Sequence, residues 1–116
     1  MAQTGLFGPH AFTQANINQH VATKGAGVYA LDKTSAGEFK VSYVGRSDDD
    51  LPGRLAKHLG KGYHYFKYGY FETARGAFNR ECQIYHDFNP PDNTIHPARP
   101  TGTNYSCPVA NCKALG

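Results

Sequence analysis

The stretch that most constrains this chain is Gly27 to Arg54, GVYALDKTSAGEFKVSYVGRSDDDLPGR. Val28 and Ala30 alternate with Tyr29 and Leu31, and Phe39, Val41 and Tyr43 alternate with Glu38, Lys40 and Ser42. That is the two-residue period of a strand. Lys33 to Gly37 is turn material, so the two runs predict an antiparallel hairpin. The acids Asp48, Asp49 and Asp50, followed by Pro52, then predict a helix start. Side-chain oxygens satisfy free N–H groups there, and proline is tolerated in the first turn. Capping accounts for these acids fully, and the alternative is a metal-binding acidic cluster. Leu51, Leu55 and Leu59 share one helix face, and Gly60 stops the helix. Arg54 and His58, four apart, lie on a neighbouring face where both can point at one ligand.

The rest of the chain adds one more strand and a long helix. KGYHYFKYGYF, from Lys61 to Phe71, predicts a strand over Tyr65 to Tyr70. Its interleaved tyrosines and lysines suit stacking on bases and pairing with phosphate, although half of the rings are expected to line the core. From about Glu72 to Phe88 the residues Phe71, Ala74, Phe78, Cys82 and Tyr85 give the spacing of a buried helical stripe. Glu81 lies at the edge of that stripe, where a carboxylate needs a cation to offset its desolvation. Arg75, a lysine or a metal ion are the candidates. Pro90 and Pro91 end the helix. Before the hairpin, Thr13 is placed to cap a short helix over Gln14 to Val21 that buries Ile17 and Val21. The residues preceding it, with Gly5, Gly8 and Pro9, read as loop.

Gly27-Val28-Tyr29 followed by Tyr43-Val44-Gly45, an arginine on the next helix and a glutamate on a later one resemble the GIY-YIG nuclease family. The resemblance covers residues 25–95, with valine where the name-giving tripeptides carry isoleucine. It implies a small α/β (α+β) domain, a three-stranded, mainly antiparallel sheet flanked by helices. Residues 1–24 are then an N-terminal extension and residues 96–116 a loop-rich tail.

The function implied is metal-dependent endonucleolytic hydrolysis of phosphodiester bonds, in DNA rather than RNA. By the same resemblance Glu81 holds one Mg²⁺ or Mn²⁺. Tyr29, alone or with Tyr43, handles the attacking water, Arg54 and Arg46 grip the phosphate, and His58 is a proton donor or base. Position 46 carries lysine in several relatives, so arginine keeps the charge without the ability to give up a proton. Lys61, Tyr63, Lys67 and Asn93 are expected to contact nucleic acid.

The rival reading is a nucleic-acid-binding module without catalysis. Ser42 to Gly45 and Lys61 to Tyr68 imitate the two short motifs of an RNA-recognition module. The gap between them has room for a helix but not for the further strand such a module requires.

At 116 residues the chain is expected to form one domain without staples. A net charge of +3, with six histidines uncounted, permits a polyanionic partner without demanding one. No signal-peptide pattern opens the chain and no apolar run reaches membrane-spanning length, which predicts a soluble, cytoplasmic protein. A domain this small has little apparatus for sequence reading, so a protein partner could target it. The three cysteines make no disulfide framework. Cys82 reads as a small buried apolar residue. Cys107 and Cys112 could chelate zinc with help from His96 or His86, or close a small loop as a disulfide. Their spacing is unusual for zinc.

Overall fold

The computed structural model describes residues 5–34, 37–93, 96–97, 100, 102–103, 105 and 107–109. In chain order these form β1 (Phe7–Ala11), α1 (Gln14–His20), β2 (Gly27–Asp32), β3 (Tyr43–Ser47), α2 (Leu51–Ala56), β4 (Tyr65–Tyr70) and α3 (Ala74–Phe88). The strands make one antiparallel sheet in the order β1-β4-β2-β3.

Strand β2 lies between β4 and β3, and all six of its residues are buried. Because successive side chains of a strand point to opposite faces, β2 feeds two cores. Tyr29 and Leu31 join Phe66, Phe12, Ile17, Val21, Leu51 and Leu55 beneath α1 and α2. Val28 and Ala30 join Val44, Ala77 and Ile84 beneath α3. Each large apolar side chain removed from water in this way contributes about 1.5–3 kcal/mol. The helices start where their caps dictate. Thr13 accepts from Asn16 N, Asp50 from Gly53 N and Thr73 from Gly76 N, each satisfying an otherwise orphaned donor. Among the described residues no helix is long and apolar enough to cross a membrane.

Among the described residues the sheet has four strands, not the expected three. The added strand, β1, pairs with β4 in the segment read as loop. Pro9 sits there because an edge strand tolerates a residue that cannot donate to a ladder, and the register shifts between Phe7 and His10. With Phe7 67% exposed, the strand carries no buried alternation to betray it.

The second run of the hairpin is also shorter than its alternation suggests, since β3 begins at Tyr43. Thr34 and Lys40 instead gather about the buried Asp32 carboxylate. That group accepts from Thr34 N at 2.7 Å, Thr34 Oγ1 at 2.7 Å and Lys40 N at 3.2 Å. Helix α2 stops at Ala56 rather than running to Gly60. Bonds from the N–H groups of Lys57, His58, Leu59 and Lys61 to carbonyls three residues back tighten the chain beyond it. This tighter turn carries His58.

Candidate active site

Strand β3 is an edge of the sheet, and Gly45 is directly opposite Tyr29 of β2. A Cβ at position 45 would overlap the end of the Tyr29 ring. The bare glycine backbone therefore lets an inner-strand tyrosine lie across the edge strand. Tyr29 is 1% exposed, yet its hydroxyl reaches His58 Nε2 at 2.7 Å. Tyr43 stands beside this pair, its ring centroid 6.3 Å from that of Tyr29 and 5.0 Å from that of His58. Tyr63 closes the group edge-on to His58 at 6.4 Å. Gly27, at the start of β2, has a similar role: a Cβ there would overlap Leu51, the first residue of α2.

This cluster is largely buried and lies in the field of the Arg54 and Lys61 charges. Burial, then Lys61, then Arg54 lower His58 to a pKa of about 4, so its imidazole is neutral at neutral pH. Burial and the neighbouring Tyr43 push the Tyr29 phenol well above its ordinary value, and the Arg54 charge recovers only part of that. Tyr43 is also raised, by burial and by Glu81, against the opposing pull of Arg54 and a side-chain interaction with Tyr29. Neither phenol is therefore a ready base, and the neutral imidazole of His58, hydrogen-bonded to Tyr29, is the group beside them able to take up a proton. Desolvation outweighs the charge.

Across β3, Val44 and Arg46 face α3. Arg46 Nη1 donates to Glu81 Oε1 at 2.7 Å, and its Nε donates to Asp48 Oδ1 at 2.6 Å. The guanidinium also lies over the Phe78 ring, 5.4 Å from its centroid. Burial raises the Glu81 pKa to about 7 despite the pull of Arg46. The cation meeting Glu81 is thus Arg46, not Arg75 or a lysine. The two halves remain in electrostatic contact around the strand edge, since Glu81 acts on both Tyr29 and Tyr43, and Arg54 acts on Tyr29, Tyr43, His58 and Glu81.

The residues expected to contact nucleic acid scatter. Lys61 lies near His58 and adds positive charge to the pocket. Tyr63 joins the pocket wall, its hydroxyl donating to Asp92 Oδ2 at 2.8 Å. Lys67 pairs in register with Ala30 and puts its ammonium 4.9 Å from the Phe39 centroid, on the α3 side of the sheet. Asn93 is engaged by the fold itself: its side-chain amide bonds to both the N–H and the C=O of Val44, at 2.8 and 2.9 Å, like one more residue of sheet. Asp92, which the sequence did not mark, accepts from both Tyr63 and Lys33 and bonds through its N–H to the Ser42 carbonyl. Only its place after two prolines, where a chain turns back, hinted at a tertiary role. Asp50 is the N-cap of α2 and Asp48 the partner of Arg46, so capping and pairing account for two of the three clustered acids.

Comparisons with protein-family models, with curated proteins and with solved structures return no match for this chain.

Proposed function

We propose that the protein is a metal-dependent nuclease that hydrolyses phosphodiester bonds, with DNA as its substrate class. The observation that carries this reading is the Tyr29–His58 hydrogen bond laid over Gly45, with the Arg54 charge acting on both partners. The resemblance of Gly27 to Gly45, Arg54 and Glu81 to the GIY-YIG pattern supports it, as does the proximity of Glu81 to the phenols.

Phosphodiester hydrolysis needs a proton acceptor for water, positive charge on the phosphate and a group to protonate the leaving oxygen. Neutral His58 supplies the acceptor. A water on the Tyr29 oxygen gives that oxygen a proton as Tyr29 passes its own to His58 Nε2. The water oxygen bonds to phosphorus and the bond to the leaving oxygen breaks. The leaving oxygen takes up a proton from solvent, and the imidazolium gives its proton back to solvent through the Tyr29 hydroxyl. Arg54, which is exposed, grips the phosphate, because a guanidinium fork matches two phosphate oxygens. Lys61 adds to the attraction.

Glu81 fits one hard divalent cation. It is a carboxylate on the α3 side of β3, in electrostatic contact with both phenols, and carboxylate lone pairs accommodate both a guanidinium and a cation. Bound Mg²⁺ or Mn²⁺ would add positive charge at the phosphate and lower the pKa of the attacking water. Because Glu81 must be ionised to hold a cation, its raised pKa makes occupancy depend on pH near neutrality.

The test is nicking of supercoiled plasmid by the purified chain in Mg²⁺, in Mn²⁺ and in excess chelator, with Tyr29→Phe and Glu81→Gln alongside. Metal-dependent nicking lost in both variants is expected. Binding of DNA without cleavage by the unaltered chain would favour a binding module instead, and indifference to both substitutions would end the proposal.

A further inference from the structure

Helix α3 ends in Asn89, whose left-handed conformation (φ 48°) turns the chain out of the helix. Described residues of the following segment lie back against α3. The His96 ring packs edge-on to Tyr85 with centroids 5.3 Å apart, and Tyr105 lies 6.5 Å from Phe78 with Arg75 over its ring. This arrangement brings Cys107 to Cys82, which is buried on α3 next to Glu81. Neither cysteine is in a disulfide. One ligand atom from each of Cys82, His96 and Cys107 lies within 4.8 Å of the other two.

A tetrahedral zinc ion with Zn–S of about 2.3 Å and Zn–N of about 2.0–2.1 Å sets its ligand atoms roughly 3.3–3.8 Å apart. The trio is within a small contraction of that spacing. His86 stands one helical turn after Cys82, on the same side of α3, and meets the trio at His96, with the two Nε2 atoms 3.3 Å apart. His96 is also oriented as a ligand should be. Its Nδ1 faces the Pro97 carbonyl at 2.9 Å. A carbonyl only accepts, so Nδ1 carries the proton and Nε2 presents its lone pair. A backbone acceptor behind the outer ring nitrogen is how metal-binding histidines are commonly held.

We propose that Cys82, Cys107, His96 and His86 form a structural zinc site that fastens the C-terminal segment to the helix carrying Glu81. The ligand set is soft sulfur and imidazole, which selects zinc and related transition metals over the Mg²⁺ that an oxygen site takes. On binding, both thiols release their protons to solvent as the two sulfur–metal bonds form. The Cys82 thiol, read from the sequence as apolar filling, becomes a ligand together with Cys107; Cys112, expected to pair with Cys107, lies outside the described residues. The site does not depend on the nuclease reading, since its ligands handle no substrate.

The experiment is Co²⁺ titration of the reduced, metal-stripped full chain in excess Mg²⁺, followed in the visible and near-ultraviolet, with zinc content measured on the protein as purified. One equivalent of Co²⁺ should give the intense visible bands of a tetrahedral ion with thiolate charge-transfer absorption, and Zn²⁺ should displace it. Cys107→Ser, His96→Ala and His86→Ala should each weaken uptake at least about tenfold, whereas Cys112→Ser should leave it unchanged. Cys82→Ser alters a buried position, so Cys107→Ser and His96→Ala decide the matter if it fails to fold. No stoichiometric uptake, uptake indifferent to those two variants, or a Cys82–Cys107 disulfide in the purified protein would overturn the proposal. Loss of uptake in Cys112→Ser with none in His86→Ala would overturn the ligand set.

Discussion

Arg46 and Arg54 lie on either side of the turn into α2, and both act on Glu81, yet they are placed for opposite purposes. Arg46 faces α3, with its side chain only 10% exposed, held between the carboxylates of Glu81 and Asp48. Arg54 is exposed on the other side of β3, and its charge reaches Tyr29, Tyr43 and His58 through space. A buried, doubly paired guanidinium holds a fold together. An exposed one at a pocket rim remains available to a phosphate. Two residues of the same type are thus separated by burial and pairing rather than by charge.

The largest effect expected is on the Arg46 side. Arg46→Ala leaves a buried carboxylate without its partner, and breaking one side of such a pair costs about 3–5 kcal/mol. Thermal or denaturant unfolding would show it, and a change below about 1 kcal/mol would mean that Arg46 is not structural. On the pocket side, Tyr29→Phe should leave stability within roughly 1 kcal/mol while slowing nicking on the order of a hundredfold or more. Full activity in this variant would remove the hydroxyl from the proton path and leave His58 to act directly.

Arg54→Ala should lower the rate on the order of a hundredfold, as loss of a preorganised charge on the transition state does, with little change in melting temperature. If Arg54→Ala unfolded the protein while Arg46→Ala did not, the comparison would be reversed.

A smaller effect concerns pH. The folded pKa of Glu81 is raised from 4.5 to about 7, so its contribution to stability is fully present below about 4.5 and is lost as pH rises through 7. His58, lowered from 6.5 to about 4, works in the other direction: its contribution is present above 6.5 and lost as pH falls towards 4. Glu81→Gln should remove the first slope and keep the second. Melting curves across roughly pH 5 to 8 would show the unaltered chain losing more stability than the variant as pH rises to about 7 and running parallel to it above that, and curves parallel throughout would refute the burial argument. The smallest effect belongs to Lys67→Ala. Its ammonium lies on the α3 side against Phe39, so DNA binding and nicking should change less than about twofold, within the range of an ordinary surface substitution. A larger loss would place nucleic acid on that face as well.

Much of the fold is legible in the local pattern. Caps at Thr13 and Asp50, strand β4 at Tyr65–Tyr70 and the stripe of α3 all follow from spacing and from residues whose preferences act within one turn of chain. Strand β1 was not legible, because an exposed edge strand containing Gly8 and Pro9 has no buried face to impose alternation. The residues Phe39 to Ser42 alternate without belonging to a strand. Burial of Asp32, which gathers three local donors, decides their path. Tyr29, Tyr43, Arg54, His58 and Glu81 could be singled out by residue type and by resemblance. Their division between two sides of an edge strand could not.

What the sequence by itself determined is the set of elements and their periods: a two-residue alternation through β2, a helical stripe in α3 and acids at the start of α2. These follow from interactions between near neighbours, which sequence spacing encodes directly. Only the tertiary structure decided which charges meet. Arg46 and not Arg75 reached Glu81, Asn93 was drawn to the Val44 backbone, Lys67 turned away from the pocket, and Cys82 came to lie beside Cys107. Each of these is a long-range pairing selected by packing. Burial then set the proton affinities of His58, Tyr29 and Glu81, because desolvation depends on everything that surrounds a group and not on its neighbours in the chain.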